Sequence, residues 1–313
     1  MNKENLIKQK ALEIGFDLAG ITSAKPVDSL DKSYLQEWLE KGFAGEMKYL
    51  HRNIDKRFDP SKLLDGAKSV ICLAVNYRPN EQEHFSKEEG PTGRIADYAM
   101  YADYHDAIKA KLFELASFIT SDIDNSAKFK FCVDSVPLAE RSLAVRAGLG
   151  FIGKNHMLIN PEIGSKILLG EIITDLQLSE DKPLEQSCVN CENCLSACPA
   201  GALDAEGNFD ASKCISYLTI EYNGEIADNL AGPINDRLFG CDNCVDVCPF
   251  EKNIPICRAQ WMNIKLPKYL NLLKISEMNE KEFNHRFENT ALERTGLATL
   301  KRNAKICLKN QKT

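Results

Sequence analysis

The chain has 313 residues, 44% of them hydrophobic and 27% charged, with a net charge of −6, which excludes a disordered or collagen-like polymer and leaves room for more than one folded unit. No run of about 18 apolar residues is present, so a membrane span is not expected. The start, MNKENLIKQKALEIGF, lacks the apolar core and cleavage site of a signal peptide; with twelve cysteines this points to a reducing, cytoplasmic compartment and to metal ligation over disulfides.

Residues 3–14 read as a helix, GFDLAGITSA as a short strand, and 30–50 as helical up to the glycines of KGFAGEM. SVICLAVN (69–76) is a β-branched apolar run, as in a buried strand, and 77–94 read as an exposed loop. From Tyr104 to Ile119 a helix places Ile108, Leu112, Leu115 and Ile119 on one face. KFKFCVDS alternates as a strand ending at Asp134; Pro137 then opens a helix and Gly148 closes it. ILLGEIIT (167–174) is a further buried strand. Strands interleaved with helices give an α/β (α+β) layered domain over 1–180, with a boundary in the polar EDKPLEQS. A cysteine-rich domain follows over 181–257, then a basic helical segment over 258–313. That last segment holds twelve Lys or Arg against five Asp or Glu, a surplus of seven positive charges that leaves −13 on the rest. Lys301, Arg302, Lys305 and Lys309 recur there at helical spacing, either as a solvated face or as a footprint for a polyanion.

Four cysteines fall within eleven positions in CVNCENCLSACP: Cys188, Cys191, Cys194 and Cys198, followed by Pro199. This is the bacterial ferredoxin spacing, in which three sulfurs hold one 4Fe–4S cube and the fourth serves another. Cys241, Cys244, Cys248 and Pro249 repeat its last part, and Cys214 supplies the displaced partner. The assignment is therefore Cys188, Cys191, Cys194 and Cys248 to one cluster, and Cys198, Cys214, Cys241 and Cys244 to the other. Paired zinc sites have no use for the third cysteine or the proline. Cys72, Cys132, Cys257 and Cys307 read as small buried hydrophobes. Two adjacent cubes make a wire for single electrons, and the preceding domain is where those electrons would go.

That domain has no G-x-G-x-x-G and no phosphate-loop motif. Asp103-Tyr104-His105 begins like the cobalt-ligating D-x-H-x-x-G, but Ile108 replaces the glycine, and His105 reads as a residue of the helix start. The densest chemistry is VDSVPLAERSLAVRAGLGFIGKNHMLINPEIGS. Asp134 stands at a strand end before a helix, where α/β sheets bind ligands, and is either a helix cap or a catalytic acid. Gly148, Gly150 and Gly153 allow close backbone approach, with Lys154 and Asn155 as polar handles.

The chain resembles the epoxyqueuosine reductase family of cobalamin-dependent iron–sulfur enzymes of tRNA modification, related to reductive dehalogenases. The resemblance rests on IDKRFDP near Arg57, DYH at 103–105, VDSVPLAER, AGLGFIGKN, NPEIGS and the segment from CVNCENCLSACPAGAL through CISYLTIE to GCDNCVDVCP. It implies a cobalamin-binding catalytic domain, a ferredoxin-like domain with two 4Fe–4S clusters, and a C-terminal segment like a truncated helical repeat. It implies base-off cob(II)alamin with no protein histidine on cobalt, in contact with Arg57, Asp134, Lys154, Asn155, backbone near Leu158 and Leu169, Ser216, Cys241 and Asp242. The clusters reduce the cobalt, and Asp134 is the proton donor that turns epoxyqueuosine in the tRNA anticodon loop into queuosine. A flavodoxin or ferredoxin is the implied external donor, and the protein is expected to be a monomer. As a proton donor Asp134 must be protonated near neutral pH, with burial raising its pKa and the following helix lowering it. Asp97 and Tyr101 depart from the family's usual basic residue and glycine, and the C-terminal segment is shorter than in many members.

Overall fold

The computed structural model describes residues 2–84 and 87–312. Helix α1 (Lys3–Glu13) is capped by Asn2, whose Oδ1 accepts the Asn5 N–H at 3.0 Å. Strand β1 (Leu18–Ser23), helix α2 (Ser29–Glu40) and strand β2 (Ser69–Asn76) follow. β2 is buried at every position. A strand alternates sides, so Ile71, Leu73 and Val75 enter one core while Val70, Cys72 and Ala74 enter a second. The chain continues through β3 (Thr92–Ile95), α3 (Tyr104–Asp122), β4 (Phe129–Cys132), α4 (Glu140–Arg146), β5 (Phe151–Ile152), β6 (Leu158–Ile159) and β7 (Ile167–Thr174). The main sheet runs β1-β2-β7-β4 with every neighbour antiparallel. Ile108, Leu112, Leu115 and Ile119 of α3 are fully buried in the first core. α4 covers the second core and approaches so closely that a Cβ on Gly20 would stand 2.2 Å from the Ala147 carbonyl oxygen.

Three sequence expectations change. Residues 77–94 are not simply an exposed loop: Tyr77 is buried, and the end of the stretch is β3, the central strand of a second sheet. The helix placed at Pro137 begins at Glu140, with Ala139 as N-cap and no side-chain cap, so Asp134 caps nothing. The strand-end rule for Asp134 belongs to parallel sheets, whereas this sheet is antiparallel. What places Asp134 is the exit of the edge strand β4.

The second sheet gathers distant parts of the chain. β3 pairs parallel with β8 (Arg237–Phe239) and antiparallel with β9 (Tyr269–Asn271). α5 (Ile215–Ile220) and α6 (Leu297–Asn310) lie beside β8. Fully buried Asn303 on α6 donates to the carbonyls of Thr219 and Leu238, at 2.8 and 3.0 Å. Arg302 is turned inward as well, donating to the carbonyls of Leu218, Tyr222 and Gly224 at 2.6–2.7 Å. It therefore does not belong to the solvated or phosphate-facing row read from its spacing.

Behind the second sheet lies a buried charge network. Asp97, 1% exposed, pairs with Lys166 and Lys268, and its N–H donates to Asp242 Oδ2 at 2.8 Å. Lys166 also reaches Asp246 at 3.0 Å and Lys268 reaches Asp242 at 3.2 Å. Burial works to raise the Asp97 pKa, but Lys268 and Lys166 hold it below the usual carboxylate value. Burial likewise opposes the charge on both lysines, and the aspartates push their pKa values up. A depressed acid contributes stability above its unfolded pKa that is lost as pH falls through the folded value; the raised lysines contribute stability that is lost on the alkaline side. Asp97→Ala takes one carboxylate partner from each of two buried lysines, leaving Asp246 and Asp242, and is expected to lower unfolding free energy by about 1.5–3 kcal/mol near neutral pH. Denaturant unfolding of the two proteins checks this; a difference under about 1 kcal/mol would contradict it.

Candidate active site

Asp134 sits in a three-residue turn, closed by the Ser135 N–H donating to the Val133 carbonyl at 2.5 Å. Its φ is +49°. A positive φ at the centre of such a turn is strained, by roughly 1–3 kcal/mol. The Asp134 N–H donates to Glu140 Oε1 at 2.6 Å. On the other side, Asp134 Oδ2 accepts from the Tyr104 hydroxyl at 3.3 Å and meets His105 Nε2 at 3.2 Å. His105 Nδ1 lies 2.7 Å from Asp103 Oδ1, and that same oxygen caps α3 by accepting the His105 N–H at 2.9 Å. The Tyr104 and His105 rings stack at 4.2 Å.

An imidazole between two carboxylates is pulled towards the cation. The hydrogen bonds to Asp103 and then Asp134 push His105 up to about 9. In turn, His105 holds Asp134 below its ordinary value against the burial that raises it. Near neutral pH the proton therefore resides on His105, with Asp134 as the carboxylate facing it. Burial raises Asp134 as the sequence leads one to expect, but the helix start set against burial is not adjacent, and the histidine acts in its place and outweighs burial. His105 is also more than a helix-start residue. A D-x-H pair at a helix start was the available signal, but the partner that gives it meaning lies 29 residues on. Glu140 and Tyr104 were likewise not singled out.

The cysteines ring two neighbouring cavities. One, of ≈ 200 Å³, is lined by Cys188, Cys191, Cys194 and Cys248 with Lys154 and Asn155. The other, of ≈ 230 Å³, is lined by Cys198, Cys214, Cys241 and Cys244 with Asn155, Ser216 and Asp242. Asn155 borders both and donates to the Cys244 carbonyl at 3.3 Å. A 4Fe–4S cube takes four thiolates at separate iron corners, and two rings of four thiols fit that demand. Each cysteine run folds into a short helical turn, Asn193–Ser196 and Asn243–Asp246, which gathers the x2 and x3 neighbours.

Arg141, His156 and Phe209 are shared between the second cavity and an adjoining cleft of ≈ 490 Å³, lined also by Tyr34, Trp38, Arg57 and Glu140. Arg57 Nε is buried with no hydrogen-bond partner among the described residues, a donor free to meet a polar group in that cleft. The remaining residues implied as cofactor contacts are spread around these spaces. Lys154 pairs with Glu192 at 3.4 Å. Ser216 Oγ lies 3.5 Å from the Cys241 carbonyl. Asp242 is committed to Lys268 and to the Asp97 N–H. Leu158 and Leu169 pack in the second core, which leaves their backbones as the available contact. Asp97 and Tyr101 do not face the cleft as ligands; one is the hub of the charge network and the other is a core side chain.

Two family models match this chain: "Epoxyqueuosine reductase QueG, DUF1730" over residues 57–135 and "4Fe-4S double cluster binding domain" over 187–251. The epoxyqueuosine reductase of Cellulophaga algicola is 39% identical over 301 residues, covering 96% of each chain. An epoxyqueuosine reductase structure from Bacillus subtilis superimposes with a TM-score of 0.88 at 31% identity, over 98% of this chain and 81% of that one; it is described with its catalytic aspartate loop swung out of the active site. A crystal structure of epoxyqueuosine reductase with an epoxyqueuosine-modified tRNA-Tyr stem loop gives a TM-score of 0.88 at 32% identity, over 98% and 80%.

Two predictions follow from this geometry. The His105 imidazole is expected to titrate near 9, so its ion pair with Asp134 is fully present below about 6.5 and lost as pH rises through about 9. Carbon-13 histidine NMR reads this directly, and Asp103→Asn should move the midpoint downward more than Asp134→Asn does. Cys214→Ala should lower iron content from about eight to about four per chain, with one cluster signal retained in electron paramagnetic resonance. Eight irons in that variant would break the ligand grouping.

Proposed function

The chain belongs to the epoxyqueuosine reductase family, and from that premise we propose that it deoxygenates epoxyqueuosine in the anticodon loop of tRNA to queuosine. The observation that carries this reading is the adjacency of three parts: two cavities each lined by four thiols, a cleft that shares Arg141, His156 and Phe209 with the second of them, and the Asp134–His105 pair, tied to the cleft's Glu140 through the Asp134 N–H. The clusters take Cys188, Cys191, Cys194 and Cys248, and Cys198, Cys214, Cys241 and Cys244, and are filled by a one-electron donor protein of the flavodoxin or ferredoxin kind. Cobalamin in the cleft would supply a strongly nucleophilic reduced cobalt for opening the strained ring.

Arg57, with its unpaired Nε, and Asn155, Ser216 and Asp242 around the second cavity would hold that cofactor, with backbone contacts near Leu158 and Leu169 and an outer contact from Lys154. Two electrons and two protons convert the epoxide to an alkene and water. The departing oxygen gathers negative charge, and a positioned acid is worth roughly 10²–10⁴ in rate. His105 holds the proton and Asp134 lies hydrogen-bonded to it, at a half-exposed position where substrate can dock. Asp134 relays the His105 proton to the oxygen, and a second proton from solvent completes the water that leaves. The catalytic aspartate loop of the Bacillus subtilis relative and the tRNA stem loop bound by the other relative support this assignment of acid and substrate.

Anaerobic turnover with tRNA carrying epoxyqueuosine is the direct test. Asp134→Asn keeps size and hydrogen bonding but not the acid. It should load both clusters and still permit cobalt reduction, yet turn over at least about 10²-fold more slowly at pH 7. Wild-type rates in that variant, with reduction intact, would remove Asp134 from the chemistry.

A further inference from the structure

Below the Asp134 turn lie two carboxyl groups for which the reaction has no direct use. Glu140 opens α4 and accepts the Asp134 N–H at 2.6 Å. Behind it stands Glu171 on β7, 0% exposed. Strand register places Glu171 opposite Cys72 on β2 and opposite Cys132 on β4, so its flanking neighbours in the sheet are two buried thiols. Neither Glu171 oxygen receives a hydrogen bond from a donor among the described residues. What its carboxyl does meet is the carboxyl of Glu140.

Two carboxylates cannot share a buried site without a proton between them. Burial pushes both upward, Glu140 to about 7 and Glu171 further still, so the pair holds at least one proton near neutral pH. Arg141 on the same helix is the basic group near Glu140, but its Nη1 donates to the His156 carbonyl at 2.6 Å.

We propose that Glu140 is a positioning residue for the proton donor: its side-chain oxygen, accepting the Asp134 N–H, holds the left-handed turn that aims Asp134 at His105. This rests on the reading of Asp134 as the acid. The turn is closed by the Ser135 N–H and hydroxyl donating to the Val133 carbonyl, and its conformation is one that most non-glycine residues disfavour. A hydrogen-bond acceptor on the Asp134 amide offsets that strain, and Glu140 Oε1 supplies it.

Hydrogen–deuterium exchange across residues 133–139 of the cluster-loaded protein reads the turn without any turnover. Glu140→Ala should speed exchange at the Asp134 amide at least about tenfold. It should also slow single-turnover deoxygenation about tenfold or more, while binding of the tRNA stem loop stays within about twofold. Glu140→Gln keeps an amide oxygen for the same N–H and should restore both exchange and rate to near wild type. Wild-type exchange and rate in Glu140→Ala would overturn the proposal, as would a Gln variant as impaired as the Ala one. Should Glu140→Ala not fold, Glu140→Asp decides. Its carboxylate falls one methylene short of the amide, so a protected Asp134 amide there would also overturn the proposal. A wild-type protein that shows the protection but no deoxygenation would sink the functional reading and leave the clamp standing.

Discussion

Asp97 is the charge on which the arrangement of the three sequence regions depends. It sits between β3 and α3, yet its partners come from the start of β7, from the turn after Cys241 and from the strand entering β9. Buried ion pairs contribute little net stability, because desolvation offsets the attraction, but a wrong register leaves a charge without a partner. The network therefore discriminates between arrangements more than it strengthens one. Asp242 follows Cys241 directly, so the rule that buried charges be paired also fixes the position of a thiol.

The site is assembled from short, irregular segments held against rigid neighbours. β2 is sealed on both faces, β7 carries Glu171 from its middle, and β4 ends at the turn that presents Asp134. Helix α6, far along the chain, reaches back through Asn303 and Arg302 to satisfy carbonyls on α5, on the residues after it and on β8. Those carbonyls follow Cys214 and precede Cys241 closely in sequence. The C-terminal segment thus supports the thiol rings by hydrogen bonding, whatever its surface charge does for RNA.

What the sequence disclosed was what is local. Cysteine spacing encodes a loop shape within a few residues, and the apolar period of α3 encodes its buried face. The sheet order was hidden because strands 100 residues apart pair across a long excursion, as β2 and β7 do. His105 looked like a helix-start residue because Asp103 does cap the helix; its second partner is in another element. Arg302 looked like a member of a cationic row because periodicity reports a face but not what that face meets. Asp97, read as a lost basic contact, gained its role only from lysines 69 and 171 residues away.

The left-handed backbone at residue 134 also limits which acid can stand there. Aspartate and asparagine tolerate that region several-fold better than most side chains, whereas glutamate has no such advantage. A glutamate would retain a titratable carboxyl but would favour another turn, and its longer stem would overshoot the imidazole. Carboxyl and backbone shape are thus met by one side chain, and the choice of residue at this position is confined by geometry before acidity comes into play.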